Sequence, residues 1–130
     1  NQGGVDGFVS IISNDGSQLI QTGYFGTSGI DLIYGIQFDK FNYPYIMGTT
    51  TSSSWPVVNS PFSQSGGNQF IAKLQQDLSA WVYSTVFGTS GSNQPNISPT
   101  AFLIDRCEQA YVSGWGGLGN TGQRYDAGDT

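Results

Sequence analysis

The sequence predicts an all-β fold of two propeller-type blades, each made of four antiparallel strands. Three observations point there. The first is an internal repeat. Residues 8–29 (FVSIISNDGSQLIQTGYFGTSG) return at a constant offset of 62 as residues 70–91 (FIAKLQQDLSAWVYSTVFGTSG). Eight of these 22 positions are identical, among them Phe8/Phe70, Asp15/Asp77, Ser17/Ser79 and the run Phe25–Gly29 against Phe87–Gly91. After a four-residue insertion the match resumes at offset 66: Ile36–Lys40 aligns with Phe102–Arg106, and Tyr45–Gly48 with Tyr111–Gly114. A fixed period of this size marks a repeat architecture. The second observation is a series of short apolar segments bounded by turn formers. The third is composition: 19 glycines in 130 residues, 14% aromatic and only 10% charged.

Four segments fill each repeat. In the first they are Gly7–Ser13, Gln18–Phe25, Ile33–Asp39 and Tyr45–Thr51. In the second they are Gln69–Gln75, Ala80–Phe87, Thr100–Asp105 and Ala110–Trp115. Each is short and rich in β-branched and aromatic side chains, which is the strand signal. Asn14–Ser17 (NDGS) is a hairpin turn, and its counterpart Gln76–Ser79 keeps the Asp and Ser but lacks the Gly. Asp39 and Asp105 open the turns between the third and fourth segments, where a carboxylate can bond the turn backbone. Four sequential strands joined in this way make one meander per repeat, with units at residues 1–65 and 66–130. Trp81–Phe87 and Leu19–Phe25 carry apolar groups on both faces, so each sheet needs a neighbour on each side. Stacked blades supply that. Two blades cannot close a ring of the usual four to eight. The expected partners are therefore further repeats of the same polypeptide or other subunits.

Residues Gly66–Leu74 (GGNQFIAKL), followed by Trp81–Gly88 (WVYSTVFG), resemble the bacterial beta-propeller repeat called SBBP. Tyr34–Asp39 and Tyr43–Thr49 are similar to its third and fourth elements. Asn96–Gly117 resembles a variant found in large surface proteins of type IX secretion and gliding motility. The resemblance covers essentially the whole chain. It implies a non-catalytic propeller segment of a secreted or cell-surface bacterial protein, acting as scaffold or adhesive interaction surface. Two other readings stay open: a carbohydrate-binding or carbohydrate-active propeller, and a passive secretion cargo or spacer.

Charge excludes several classes. The net charge is −5 and the only cations are Lys40, Lys73, Arg106 and Arg124. A nucleic-acid backbone needs clustered Lys or Arg, so no nucleic-acid partner is expected. No apolar run approaches a transmembrane helix. The chain has no His, which removes His-dependent triads and His-ligated metals. Asp15, Asp39, Asp77 and Asp105 recur at equivalent turns, which fits turn chemistry better than paired catalytic carboxylates. No enzyme activity, catalytic residue or cofactor is expected. Calcium is the one ion to consider, at Asp31, Asp126 and Asp129, although EF-hand spacing is absent. Cys107, the single cysteine, is expected to be a buried, inert thiol. Trp55 and Trp115 are the candidate ligand-binding residues, as sugar-stacking platforms. Inter-blade packing is the favoured role for both, because Trp buries a large area. The connections after each fourth strand, Thr49–Ser65 and Gly116–Thr130, and the inserted loop Ser92–Pro99 are expected to present contact residues.

Overall fold

A computed structural model describes residues 3–88 and 97–116. Among the described residues there are eight strands and no helix: β1 (Gly7–Ile12), β2 (Leu19–Phe25), β3 (Asp31–Phe38), β4 (Pro44–Thr50), β5 (Gln69–Leu74), β6 (Trp81–Phe87), β7 (Ile97–Ile104) and β8 (Ala110–Gly116). Each segment expected to be a strand is one. Among those residues no helix is long and apolar enough to cross a membrane.

The pairing differs from one meander per repeat. The strands form three antiparallel sheets, β1–β2, β3–β4–β5–β6 and β7–β8. The four-stranded sheet therefore draws two strands from each repeat. The connection between β2 and β3 steps the chain to a new layer rather than turning it back. Val5 bridges Ile30 in parallel, and the Asp31 N–H donates to the Val5 carbonyl at 2.7 Å. The Asp31 carboxylate locks the step by accepting the Thr27 backbone N–H (2.5 Å) and hydroxyl (2.8 Å). The long connection 51–68 does turn the chain back. It sets β5 against β4 in the register Tyr45↔Lys73, Met47↔Ile71, Thr49↔Gln69.

Irregularities recur with the repeat. The register slips between Ile11 and Ile12 in β1 and between Lys73 and Leu74 in β5. It slips again between Ile33 and Gly35 in β3 and between Pro99 and Ala101 in β7. Turn conformations recur too. Asn42 and Glu108 both have φ 66°, while Gly16 has φ 73° and its counterpart Leu78 has φ 61°. A left-handed residue other than Gly costs about 1–2 kcal/mol. Leu78 offsets that cost by burying its side chain in the core.

The core lies between β1–β2 and the four-stranded sheet. Val9 and Phe25 from the first meet Ile46, Phe70, Ala72, Leu74, Leu78 and Val86. Strand β4 is buried along its whole length. Phe70 lies over Gly48: a Cβ there would meet the Phe70 ring at 2.5 Å and overlap the Leu32 carbonyl. The opposite face of the sheet meets β7–β8. The outward faces of the two outer sheets are bare, with Phe8 and Ile12 on one and Tyr111 and Trp115 on the other.

The Gly48–Phe70 contact gives a direct test. Gly48→Ala should lower stability by about 2 kcal/mol or more through overpacking. Gly16→Ala, where nothing lies within 4 Å, should cost only the left-handed backbone, about 1 kcal/mol. Urea unfolding of both variants checks the order, and equal losses would refute the packing role of Gly48.

Candidate functional site

The connection 51–68 does not stand out as a display loop. It runs back along the outer edge of β6. Val58 and Ser84 exchange backbone hydrogen bonds at 2.9 and 2.8 Å, and the Gln64 N–H donates to the Val86 carbonyl at 2.9 Å. The Asn59 amide reaches the Val82 carbonyl at 3.0 Å, and the Thr85 hydroxyl donates to the Phe62 carbonyl. Backbone groups that would be open at a sheet edge are thereby occupied.

This path carries Trp55 into the core. Its indole is 5% exposed and stacks on Phe70 with ring centroids 3.7 Å apart and planes 10° from parallel. Trp81 meets it edge-on at 5.7 Å. Its Nε1–H donates to the Ser84 hydroxyl at 2.9 Å, so the polar end is satisfied. With a face against Phe70 and the indole enclosed, Trp55 offers no platform to a sugar ring, and packing is its role. Trp115 is placed differently. It sits near the end of β8 opposite Ser98 and is 63% exposed. The two candidates are therefore not brought together in one site.

Sequence reasoning missed a charged cluster centred on Lys73. Its ammonium lies 2.7 Å from the Asp39 carboxylate and 2.9 Å from that of Glu108. It also lies over the rings of Tyr43 (4.8 Å) and Tyr45 (5.0 Å), an arrangement that adds cation–π attraction. The Asp39 side chain is fully buried, and its other oxygen accepts the N–H groups of Phe41 (2.8 Å) and Tyr43 (3.0 Å). Burial alone would raise the Asp39 carboxyl pKa; the Lys73 ammonium and the two turn N–H groups outweigh it and hold it below the usual range. Burial would likewise lower Lys73, but Asp39, Glu108 and Tyr45 together raise it. The cluster ties the β7–β8 turn, through Glu108, to the four-stranded sheet. A signal was present in the sequence: Lys73 is a lone cation in a strand, where the other repeat has Ile11.

The remaining expected positions are quickly placed. Asp15 accepts from the Ser13 hydroxyl (2.6 Å) and from Ser17, whose N–H is at 3.0 Å and hydroxyl at 2.8 Å. The Ser13 bond is the largest of several that lower its carboxyl pKa to about 2. Asp77 repeats the bonds to Ser79, and Asp105 takes the N–H groups of Cys107 and Gln109. All four repeated aspartates thus serve turns. Cys107 is exposed, not buried, because it rides on the outside of the Asp105 turn. One oxygen of Asp31 serves the β2–β3 step while the other is buried without a hydrogen-bond partner among the described residues, and Asp126 and Asp129 lie outside those residues. So do the glycine-rich stretch beyond Gly116 and the inserted loop, apart from Ile97, Ser98 and Pro99 in β7. Among the described residues no group of three His, Cys, Asp or Glu could hold a metal ion. A cleft of about 370 Å³ opens between β2 and the start of β6, lined by Tyr24, Phe25, Pro56, Leu78 and Trp81 without a charged group.

Comparison with known protein families, with curated proteins and with solved structures found no match for this chain.

Lys73→Met should cost about 3–5 kcal/mol, because it strands the buried Asp39 charge. The double change Lys73→Met/Asp39→Asn should recover part of that loss in the same urea titration. The sign of the pH dependence follows from the two directions. Asp39 is lowered, so its contribution is full above the ordinary carboxylate value of about 3.9 and is lost as pH falls through its folded value. Lys73 is raised, so its contribution is full below about 10.4 and is lost as pH rises through its folded value. Unfolding midpoints measured against pH should therefore be flat between these limits as far as this cluster is concerned.

Proposed function

We propose that this chain is a non-catalytic, propeller-type repeat segment that serves as scaffold or adhesive interaction surface in a large secreted or cell-surface bacterial protein. The observation that carries the reading is the sheet arrangement. One complete four-stranded meander is flanked on each side by a two-stranded sheet, and the flanking pairs are repeat-equivalents of its own two halves. Such a unit buries both faces only by stacking against more of its own kind, as propeller blades do. The resemblance of Gly66–Leu74 and Trp81–Gly88 to the SBBP repeat supports the same architecture. The resemblance of Asn96–Gly117 to a variant from type IX secreted, gliding-associated proteins supports the surface location.

The work done by such a segment is geometric. Aspartate-locked turns, a closed edge at β6 and the Lys73 cluster hold the sheets rigid. Ligand contacts fall to exposed turns and strand ends, with no reacting group required.

Antibodies raised against the chain test the location. Intact cells of the encoding bacterium should label, and brief protease treatment should remove the label. Deleting the segment in frame should lower attachment to surfaces. Labelling that appears only after lysis would overturn the surface reading, and unchanged attachment would overturn the adhesive one.

A further inference from the structure

The two outer sheets carry unpaired edges whose correct partners are specified inside the chain. Among the described residues, no strand pairs with the outer edge of β1 or of β8. The offset of 66 makes β8 the equivalent of β4, and the offset of 62 makes β1 the equivalent of β5. Within the four-stranded sheet, β4 and β5 pair with each other. The internal pairing is thus a template for joining β8 to β1, with the register Tyr111↔Ile11, Val112↔Ser10, Ser113↔Val9, Gly114↔Phe8 and Trp115↔Gly7. These strands cannot be supplied by one copy to itself, because the four-stranded sheet stands between them: β1 contacts β3 on one side, and β7 contacts β3 and β4 on the other.

The side chains fit this register. Phe70 is wholly buried over Gly48, which has no Cβ to block the ring. Both members of that pair are retained in the outer sheets, as Phe8 and Gly114. Phe8 is 63% exposed, and among the described residues its one ring contact is a tilted one with Tyr24 at 6.5 Å. The faces agree as well. Tyr45, Met47 and Thr49 point to the β7–β8 side of their sheet, and their equivalents Tyr111, Ser113 and Trp115 are all exposed. In a joined sheet these three would lie on the β3–β6 sheet of the second copy, while Phe8 of that copy would lie on the β3–β6 sheet of the first.

We propose that β8 of one copy pairs antiparallel with β1 of a second copy, seating Phe8 over Gly114 as Phe70 sits over Gly48. The contact is head-to-tail, so it repeats until it closes into a ring or extends as a filament. Each copy supplies one internal four-stranded sheet and half of each of two shared ones. A ring of about four to eight blades then needs about two to four copies. This proposal rests on the propeller-type half of the reading above and is independent of the surface location.

Sedimentation velocity on the purified chain should show a concentration-dependent species of about two to four protomers, or longer polymers. Phe8→Ala should weaken this association about tenfold or more, with circular dichroism unchanged, since Phe8 contributes little to the fold of the single copy. For the register, one preparation carries Ser10→Cys and another Val112→Cys, both with Cys107→Ser. Mixed and oxidised, they should form a disulfide-linked heterodimer, because directly opposed Cβ atoms stand about 4.5–5.5 Å apart. Ser10→Cys mixed with Ser113→Cys places the thiols on opposite faces and should not. A monomer at every concentration, full association by Phe8→Ala, or equal cross-linking in the two mixtures would each overturn the proposal. Loss of cross-linking with surface labelling intact would leave the location reading standing.

Discussion

The structure depends on the antiparallel seam between β4 and β5. Those strands belong to different repeats, and only the fold-back of connection 51–68 brings them together. Once they pair, β4 becomes a central strand, buried along its whole length. Phe70 is set over Gly48, and the stacked pair of Trp55 and Phe70 fills the space toward β1–β2. The same fold-back lays the connection along β6, so one loop both makes the sheet and closes one of its edges. Removing the seam would leave four separate hairpins, and an isolated two-stranded hairpin is marginal in water.

The two faces of the seam use different physics. Toward β1–β2 the contacts are apolar: Ile46, Phe70, Ala72 and Leu74 are buried among aromatic rings. Toward β7–β8 the centre is Lys73, held by two carboxylates and lying over two tyrosine rings. A buried ion cluster adds less net stability than an apolar one, since desolvation cancels much of the attraction. It does fix orientation, because Glu108 must bring the β7–β8 turn to one place. The left-handed backbone at Glu108 belongs to a turn that Asn42 copies in the other repeat, so local strain there is shared scaffold rather than a mark of a reacting group.

Local structure and the four hairpin pairings were readable from the sequence; which hairpins share a sheet was not. Periodicity and turn residues located all eight strands, and the repeated aspartates identified themselves as turn residues by recurring. A repeat fixes a period but not a phase. Cutting the chain at residue 65 or at the β2–β3 step gives equally regular units. The rule that short connections join neighbouring strands favoured the first cut. What goes with the second is the local Asp31–Thr27 lock together with the long-range β4–β5 pairing, and the latter is a tertiary contact that no spacing rule encodes. Trp55 stood as a sugar-stacking candidate, beside the favoured packing role, for a related reason. A Ser/Thr/Pro-rich stretch looks exposed, yet its backbone is satisfied by the β6 edge, and that contact takes the indole inside. Cys107 follows the opposite logic: its residue type favours burial, but its turn holds it outside.

Differences between the copies then carry more meaning than their identities. Phe and Gly are kept at both seams, so both can seat a ring over a glycine. The charge is not kept. Lys73 pairs with Asp39 across the internal seam, whereas its equivalent Ile11 would face Asp105, which already accepts from the Tyr111 hydroxyl at 3.2 Å. A seam between copies therefore has the apolar half of the template without its ion pair. It also has no 51–68 type of connection holding the strands at high effective concentration, a term that a bimolecular contact must do without. Both differences act in the same direction. The internal seam opens only when the chain unfolds, while the seam between copies is the weaker joint and responds to concentration.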